Sequence, residues 1–159
     1  MKNIQIRKAN IKDVKTIYKF IKKLANFEKC PNEVTTNLSL IEKIFQDNSN
    51  VFSLIAFNNN EPIGFAVYFF NYSTWTGKKG LYLEDLFINP EMRSYGVGLK
   101  MMKSLSKIAL DNDCARMEFN VLNWNTDAIK FYEKFNAKPM KGWTLFRIER
   151  NEIENISLT

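Results

Sequence analysis

The sequence predicts an α/β fold in which a mixed, mostly antiparallel, twisted sheet is flanked by helices. Segments with strand-like alternation interleave with segments whose apolar residues recur at helical spacing. Two of the strand-like segments are joined by a polar stretch typical of a hairpin. Another strand leads through a glycine-containing loop into an amphipathic helix. Because no linker, repeat or low-complexity stretch interrupts this pattern, we expect a single domain over residues 1–159.

The first half of the chain predicts one strand, two helices and a hairpin. Residues 4–7 form the strand, and Asn10 caps a helix that follows it. Four residues at helical spacing form the apolar face of this helix: Ile17, Phe20, Ile21 and Leu24. A second helix is predicted over residues 36–45. Strands at 51–57 and 63–72 are joined across residues 58–62, which read Asn-Asn-Asn-Glu-Pro.

The second half alternates strands and helices, so that the complete order is β-α-α-β-β-β-α-β-α-β. The predicted ranges are a strand at 81–88, a helix at about 98–112, a strand at 117–121, a helix at 127–135 and a strand at 144–148.

Composition excludes several classes of protein. The chain of 159 residues is 45% hydrophobic and carries 13 phenylalanines, as expected of a globular protein. No apolar run approaches the roughly 20 residues of a membrane span, and the first residues lack a signal-peptide core, so we expect a cytoplasmic protein without a membrane partner. The net charge of +6 comes from scattered lysines without a nucleic-acid-binding motif. There is no histidine, and Cys30 and Cys114 lack metal-ligand spacing, so we expect no metal.

A phosphate-binding loop is predicted between the strand at 81–88 and the helix that follows. Residues 93–98 read Arg-Ser-Tyr-Gly-Val-Gly. Glycines at 96 and 98 let the backbone approach a ligand, and the start of a helix favours an anion. The motif matches neither the Walker loop nor the dinucleotide-binding glycine pattern. A nucleotide cofactor is the usual ligand of such a loop.

The strand followed by R-x-x-G-x-G resembles the acetyl-CoA loop of the GCN5-related N-acetyltransferases. Residues 125–137, N-T-D-A-I-K-F-Y-E-K-F-N-A, resemble a second segment of that family, with Asn136 in place of a glycine in a left-handed turn. Several strings narrow the resemblance to the diamine acetyltransferase branch: I-K-K-L-A at 21–25, F-E at 27–28, Y-S-T-W at 72–75, L-Y-L-E-D at 81–85, W-N at 124–125, G-W at 142–143 and L-F at 145–146.

The resemblance implies direct transfer of acetyl from acetyl-CoA to the primary amine of a diamine, a polyamine or a thialysine- or lysine-like amino acid. Glu84 is the implied base, because an ammonium with a pKa of about 10.4 must lose a proton before it attacks. Regular alternation would put Tyr82 and Leu86 on the same sheet face as Glu84. Tyr132 is the implied acid, beside the leaving thiolate.

The resemblance also implies how acetyl-CoA is held. Backbone groups of Leu86, Phe87 and Ile88 would pair with pantetheine as an added strand. Arg93 would supply countercharge to the pyrophosphate, and Asn125, Ala128 and Tyr132 would contact the cofactor from the other side. The pyrophosphate itself would be wrapped by the loop residues Ser94, Tyr95, Gly96, Val97, Gly98 and Leu99.

The implied amine site contains Phe27, Glu28, Trp75, Glu84 and Asp85. Two positions depart from the polyamine pattern, because Ser73 and Lys141 replace acidic residues of that branch. These departures favour a shorter amine, as in the thialysine acetyltransferases.

Two alternative functions and one oligomeric state complete the predictions. An acetyltransferase acting on protein lysines or N-termini is one alternative, and a non-catalytic CoA-binding sensor is another. The branch is commonly homodimeric, so a homodimer is expected.

Overall fold

The computed structural model describes residues 3–46 and 48–158. The chain divides into two compact units, of which the first ends at Asn120. The first unit contains β1 (Ile4–Lys8), α1 (Val14–Phe27), α2 (Leu38–Glu42), β2 (Val51–Asn58), β3 (Glu61–Ser73), β4 (Lys78–Ile88), α3 (Val97–Asp111) and β5 (Arg116–Phe119). The second contains α4 (Thr126–Glu133) and α5 (Arg150–Ser157). The expectation of one domain over residues 1–159 stays a prediction.

The five strands form one sheet in the order β1-β2-β3-β4-β5. The first three pairings are antiparallel, and β5 alone lies parallel to its neighbour, β4. The parallel pairing follows from the connection, because α3 carries the chain from the end of β4 back to the start of β5. The predicted α/β fold with a mixed, mostly antiparallel sheet is confirmed.

The predicted cap at Asn10 is confirmed and starts a short 3₁₀ turn that leads into α1. The Asn10 side chain accepts a hydrogen bond from the Lys12 amide, and the Asp13 carboxylate accepts one from the Asn10 amide. Arg7 donates from both terminal nitrogens to the same carboxylate, at 2.7 and 2.8 Å. These charge-assisted bonds hold the pKa of the buried Asp13 below its usual range.

The core lies on both faces of the sheet. On one face, Ile17 and Phe20 of α1 are buried against strand residues, and the Phe20 ring stacks on Phe65 with centroids 5.4 Å apart. The predicted apolar face of α1 is confirmed, with Ile21 and Leu24 packed at its margin. On the other face the buried residues include Leu54, Ala66, Leu81 and Leu83, and α3 contributes Met101 and Leu105 to the core.

Two predicted boundaries shift for local reasons. The hairpin between β2 and β3 turns at residues 59–60, where Asn59 has a left-handed φ of 56°, so the predicted five-residue turn is too long. Pro62 is tolerated inside β3 because the register shifts between Ala56 and Phe57, next to its position. The second helix begins at 38, because Asn37 caps it through the Leu40 amide.

The predicted strand at 144–148 is wrong, since these residues form neither strand nor helix. Its apolar side chains are exposed, Leu145 by 74% and Phe146 by 85%. Strand propensity describes the fit of a side chain to a paired, half-buried surface, and among the described residues no neighbouring strand supplies one. The polar helix α5, supported by an Arg150–Glu154 ion pair, was not predicted.

Candidate active site

A β-bulge in β4 sets the direction of the acidic side chains. Phe69 of β3 pairs with Tyr82, and Val67 pairs with Asp85. Because Phe69 and Val67 are two residues apart and share a sheet face, Tyr82 and Asp85 share that face as well, although three residues separate them. The bulge therefore inserts one extra residue into β4 between Leu83 and Asp85.

This bulge overturns the predicted alternation along β4. Leu86 pairs with Ala66, which lies on the opposite face of β3 from Val67. Tyr82 and Leu86 thus lie on opposite faces, whereas regular alternation predicts one face for both. Glu84 is the extra residue and is exposed, while Asp85 beside it is half-buried.

Three carboxylates come together where α1 ends beside β4. Burial, together with the neighbouring charges of Glu84 and Glu28, raises the pKa of Asp85 to about 6. Glu28 is the capping residue directly after α1, and burial raises its pKa too. The structure therefore groups the three acidic residues of the predicted amine site. A cluster of carboxylates in which one member, here Asp85, has a strongly raised pKa is typical of a functional site.

Phe27 and Arg93 lie beside the last residues of the same strand, just beyond Asp85. The Phe27 ring meets Phe87 edge-on, with centroids 6.5 Å apart. The Arg93 guanidinium lies 4.7 Å from the Phe27 ring centroid, and its Nε donates to the Ile88 carbonyl at 3.2 Å. Arg93 is thereby anchored where β4 runs into the predicted loop. Its role as countercharge stays a prediction.

The far half of β4 forms an edge of the described sheet. β5 pairs only with Gly80 to Leu83, so the ladder ends before Leu86, Phe87 and Ile88. On their other side these three residues pair with β3. An edge of this kind offers backbone donors and acceptors to an extended ligand. The geometry suits the pantetheine arm that the resemblance assigns to these residues.

The glycine loop forms the start of α3. Gly96 is the residue before the helix and has a left-handed φ of 77°, and Ser94 has a φ of 65°. Gly98 lies within the first turn instead, together with Val97 and Leu99. The amide groups of a first helical turn have no partner within the helix and favour an anion. The exposed loop at residues 93–96 therefore suits a pyrophosphate.

The second unit contains the other predicted contacts. Asn125 caps α4, and its side-chain oxygen accepts a hydrogen bond from the Ala128 amide at 3.2 Å. The Asn-x-x-Ala spacing is therefore explained by the start of this helix. Burial raises the pKa of Tyr132 to about 12. Asn136 has a φ of 60°, which confirms the predicted left-handed turn.

Trp75 and Ser73 belong to the hairpin between β3 and β4. Trp75 is 91% exposed, in the turn after β3. The buried Ser73 hydroxyl accepts a hydrogen bond from the Thr76 amide at 3.4 Å and closes this turn. The serine thus has a structural reason to stand where the polyamine pattern has an acid. A role for Trp75 in binding substrate stays a prediction.

Sequence reasoning missed a polar network on the same sheet face as Asp85. The Asn71 amide nitrogen donates to Glu118 at 2.9 Å, and Arg116 Nε lies 2.9 Å from the same carboxylate oxygen. Next to it, the Asn120 amide donates to the Tyr82 hydroxyl at 2.8 Å. Gly80 is the feature of the sequence that could have indicated this network, since a glycine inside a strand often marks a place where another group approaches the backbone closely.

Two structural features are absent from the described residues, 3–46 and 48–158. None of their helices is both long and apolar enough to cross a bilayer. Within the same ranges, no three cysteine, histidine or acidic side chains gather as a metal site would require.

Comparisons with known proteins identify the family of this chain. A thialysine N-epsilon-acetyltransferase of Sus scrofa is 31% identical over 99% of both chains. A spermidine/spermine N(1)-acetyltransferase-like protein of Homo sapiens is 37% identical over 96% of this chain, which spans 24% of that longer protein. An integron cassette protein from the mobile metagenome of V. cholerae shares the fold over both full chains, with a TM-score of 0.82 at 22% identity. Residues 16–137 match the acetyltransferase (GNAT) family. This chain therefore belongs to the acetyltransferase (GNAT) family.

Proposed function

We propose that this protein transfers an acetyl group from acetyl-CoA to the primary amine of a small substrate by direct attack. The observation that carries the proposal is the group of three carboxylates, Glu28 after α1 and Glu84 and Asp85 on β4, beside the part of β4 that forms an open edge. GNAT acetyltransferases use acetyl-CoA as the acetyl donor. The names of the relatives from Sus scrofa and Homo sapiens support a small amine as the acceptor.

Acetyl-CoA would be held by the backbone at 86–88 and by the loop at 93–99. It supplies the acetyl group as a thioester. The open edge of β4 and the left-handed Gly96 at the start of α3 support this assignment. The family resemblance also implies cofactor contacts by Asn125, Ala128 and Tyr132, and these contacts stay predictions.

Glu84 would take the proton from the incoming ammonium group. It is exposed, so it can return that proton to water after each turnover. Asp85 and Glu28 stand close enough for their charges to interact, and together they attract a cation. The acidic group would therefore bind the ammonium first and deprotonate it afterwards.

Tyr132 would act as a hydrogen-bond donor to the leaving thiolate. Its pKa of about 12 keeps the phenol protonated at neutral pH. A thiol has a pKa of about 8.5, so complete proton transfer to the thiolate would be uphill by roughly 5 kcal/mol. Hydrogen bonding of the intact phenol therefore explains the role better than full donation of the proton.

Replacing Tyr132 with phenylalanine is expected to lower kcat by about 10–100-fold, because the leaving thiolate loses a donor. The KM for acetyl-CoA should change little. Steady-state CoA release measures both constants. Tyr18→Phe, which removes a hydroxyl from α1, is the matched control and should leave kcat unchanged. A Tyr132→Phe enzyme with full kcat would contradict the assigned role.

The proposed function is tested by CoA release with a panel of amines: thialysine, lysine, putrescine, spermidine and a lysine-containing peptide. Turnover confined to the small amines is the expected result. Turnover of the peptide alone would favour a protein acetyltransferase. Tight CoA binding without turnover of any amine would favour a sensor.

We propose in addition that the protein is a cytoplasmic homodimer. The second unit exposes large apolar side chains, including Trp143, Leu145 and Phe146, and exposed apolar surface is typical of an interface. Sedimentation velocity should give twice the 18.7 kDa mass of the chain. A single species with the mass of one chain at micromolar concentration would overturn the dimer.

A further inference from the structure

An ion pair on β5 shares the sheet face of the proposed amine site. Asn71, Gly80 and Arg116 lie side by side on β3, β4 and β5. In the next row along the strands, Tyr82 stands between Phe69 and Glu118. The Phe69 and Tyr82 rings are stacked with centroids 5.0 Å apart, so this part of the face has an aromatic floor.

The Arg116–Glu118 pair is held in place by Asn71. Gly80 is buried, and a side chain there would collide with the Asn71 amide and come within 3.3 Å of Arg116 Cγ. The missing side chain lets Asn71 reach across β4 to donate to Glu118. Asn71 and Arg116 both act on Glu118 Oε2, and the two charged side chains are still 36% and 42% exposed. An ordinary surface ion pair lacks such support.

The spacing between this pair and Asp85 suits a short diamino compound. Glu118 lies one strand across and two residues along from the Val67–Asp85 position, which separates the two backbones by about 8 Å. The two nitrogens of an extended lysine are six bonds apart, about 7 Å. One ammonium group can therefore meet Glu84 and Asp85 while the other meets Glu118.

Arg116 adds a requirement that a diamine does not satisfy. Its guanidinium has five N–H donors and is suited to binding a carboxylate through two of them. A diamine or polyamine has only positive charge to place beside it. We propose that Arg116 and Glu118 bind the α-carboxylate and α-ammonium of an amino acid whose side-chain amine is acetylated. This inference rests on the proposed function and assigns the residues that would select an amino acid from among its small amines.

The test compares lysine with cadaverine, which is lysine without its carboxylate. For the wild-type protein, kcat/KM for lysine should exceed that for cadaverine by at least about tenfold, since charge-assisted hydrogen bonds are the strong ones. In Arg116→Gln this ratio should fall by about tenfold or more. In Arg116→Lys it should fall less, because the charge remains. Arg150→Gln removes an exposed arginine of α5 and should leave the ratio unchanged.

The outcomes separate this inference from the proposed function. If no small amine is acetylated, the proposed function fails and the inference fails with it. If both amines are acetylated but cadaverine is as good as lysine, only the inference is overturned. It is overturned as well if lysine is preferred and neither Arg116 variant changes the ratio. A purely structural loss would lower both values of kcat/KM together.

Discussion

Replacing Glu84 with glutamine is expected to lower kcat for a small amine by about 10²–10⁴-fold, the usual contribution of general base catalysis. Glutamine has nearly the same shape but cannot accept the proton of the ammonium group. Because Glu84 is the exposed extra residue of the bulge, the change should not disturb the fold. Stopped-time CoA release across pH 6–10 is the measurement, and activity should partly return at high pH, where more of the amine is neutral.

Glu61→Gln is the matched control, since Glu61 is an exposed acid at the start of β3. Its kcat should equal that of the wild type. A Glu84→Gln enzyme that keeps its activity at neutral pH would remove Glu84 as the base and leave Asp85 as the next candidate.

Replacing Asp85 with asparagine is expected to stabilise the protein at neutral pH and to weaken amine binding. The folded-state pKa of Asp85 is about 6, against an ordinary value of 3.8. The folded protein therefore binds a proton more readily than the unfolded chain, so stability falls as pH rises from about 4 to about 6. Above pH 6 the ionised Asp85 lowers the free energy of unfolding by its full amount, about 3 kcal/mol for a difference of roughly two pH units between the folded and unfolded pKa. Asparagine removes the charge and this cost.

Urea unfolding at pH 4, 5, 6 and 8 measures the effect. The free energy of unfolding of Asp85→Asn should exceed that of the wild type by an amount that grows up to about pH 6 and then stays constant. The KM for the amine should rise by about tenfold, since an opposite charge beside the ammonium group is lost. Glu61→Gln again serves as the control. A variant that is less stable than the wild type at pH 8 would contradict the prediction.

Periodicity was enough to predict the strands of the first unit and the helices that cover them. The face of α1 and the capping of its first turn follow from spacing alone, since both depend on residues close in sequence. The strand at 144–148 failed for the opposite reason. A strand needs a partner, and the local sequence does not say whether one is present.

The residue types of the candidate site could be predicted, but the sheet face on which each side chain lies could not. The family resemblance names Glu28, Glu84 and Asp85, but regular alternation places Tyr82 on the same sheet face as Leu86. A bulge depends on the pairing of two strands, so the sequence of β4 alone does not indicate it. The Asn71–Glu118 bond was equally hidden, because it joins residues 47 positions apart across a glycine.

The bulge also makes the pairing of β4 with β3 a determinant of chemistry. If β4 kept its length but paired with β3 without the bulge, every residue after Leu83 would shift by one position and turn to the other face. The Asp85 carboxylate would then point toward the apolar layer beneath α3, and Leu86 would replace it among the acids. Grafting these residues onto a regular strand would therefore invert the site, whereas deleting Glu84 would remove the bulge and leave Asp85 on its present face.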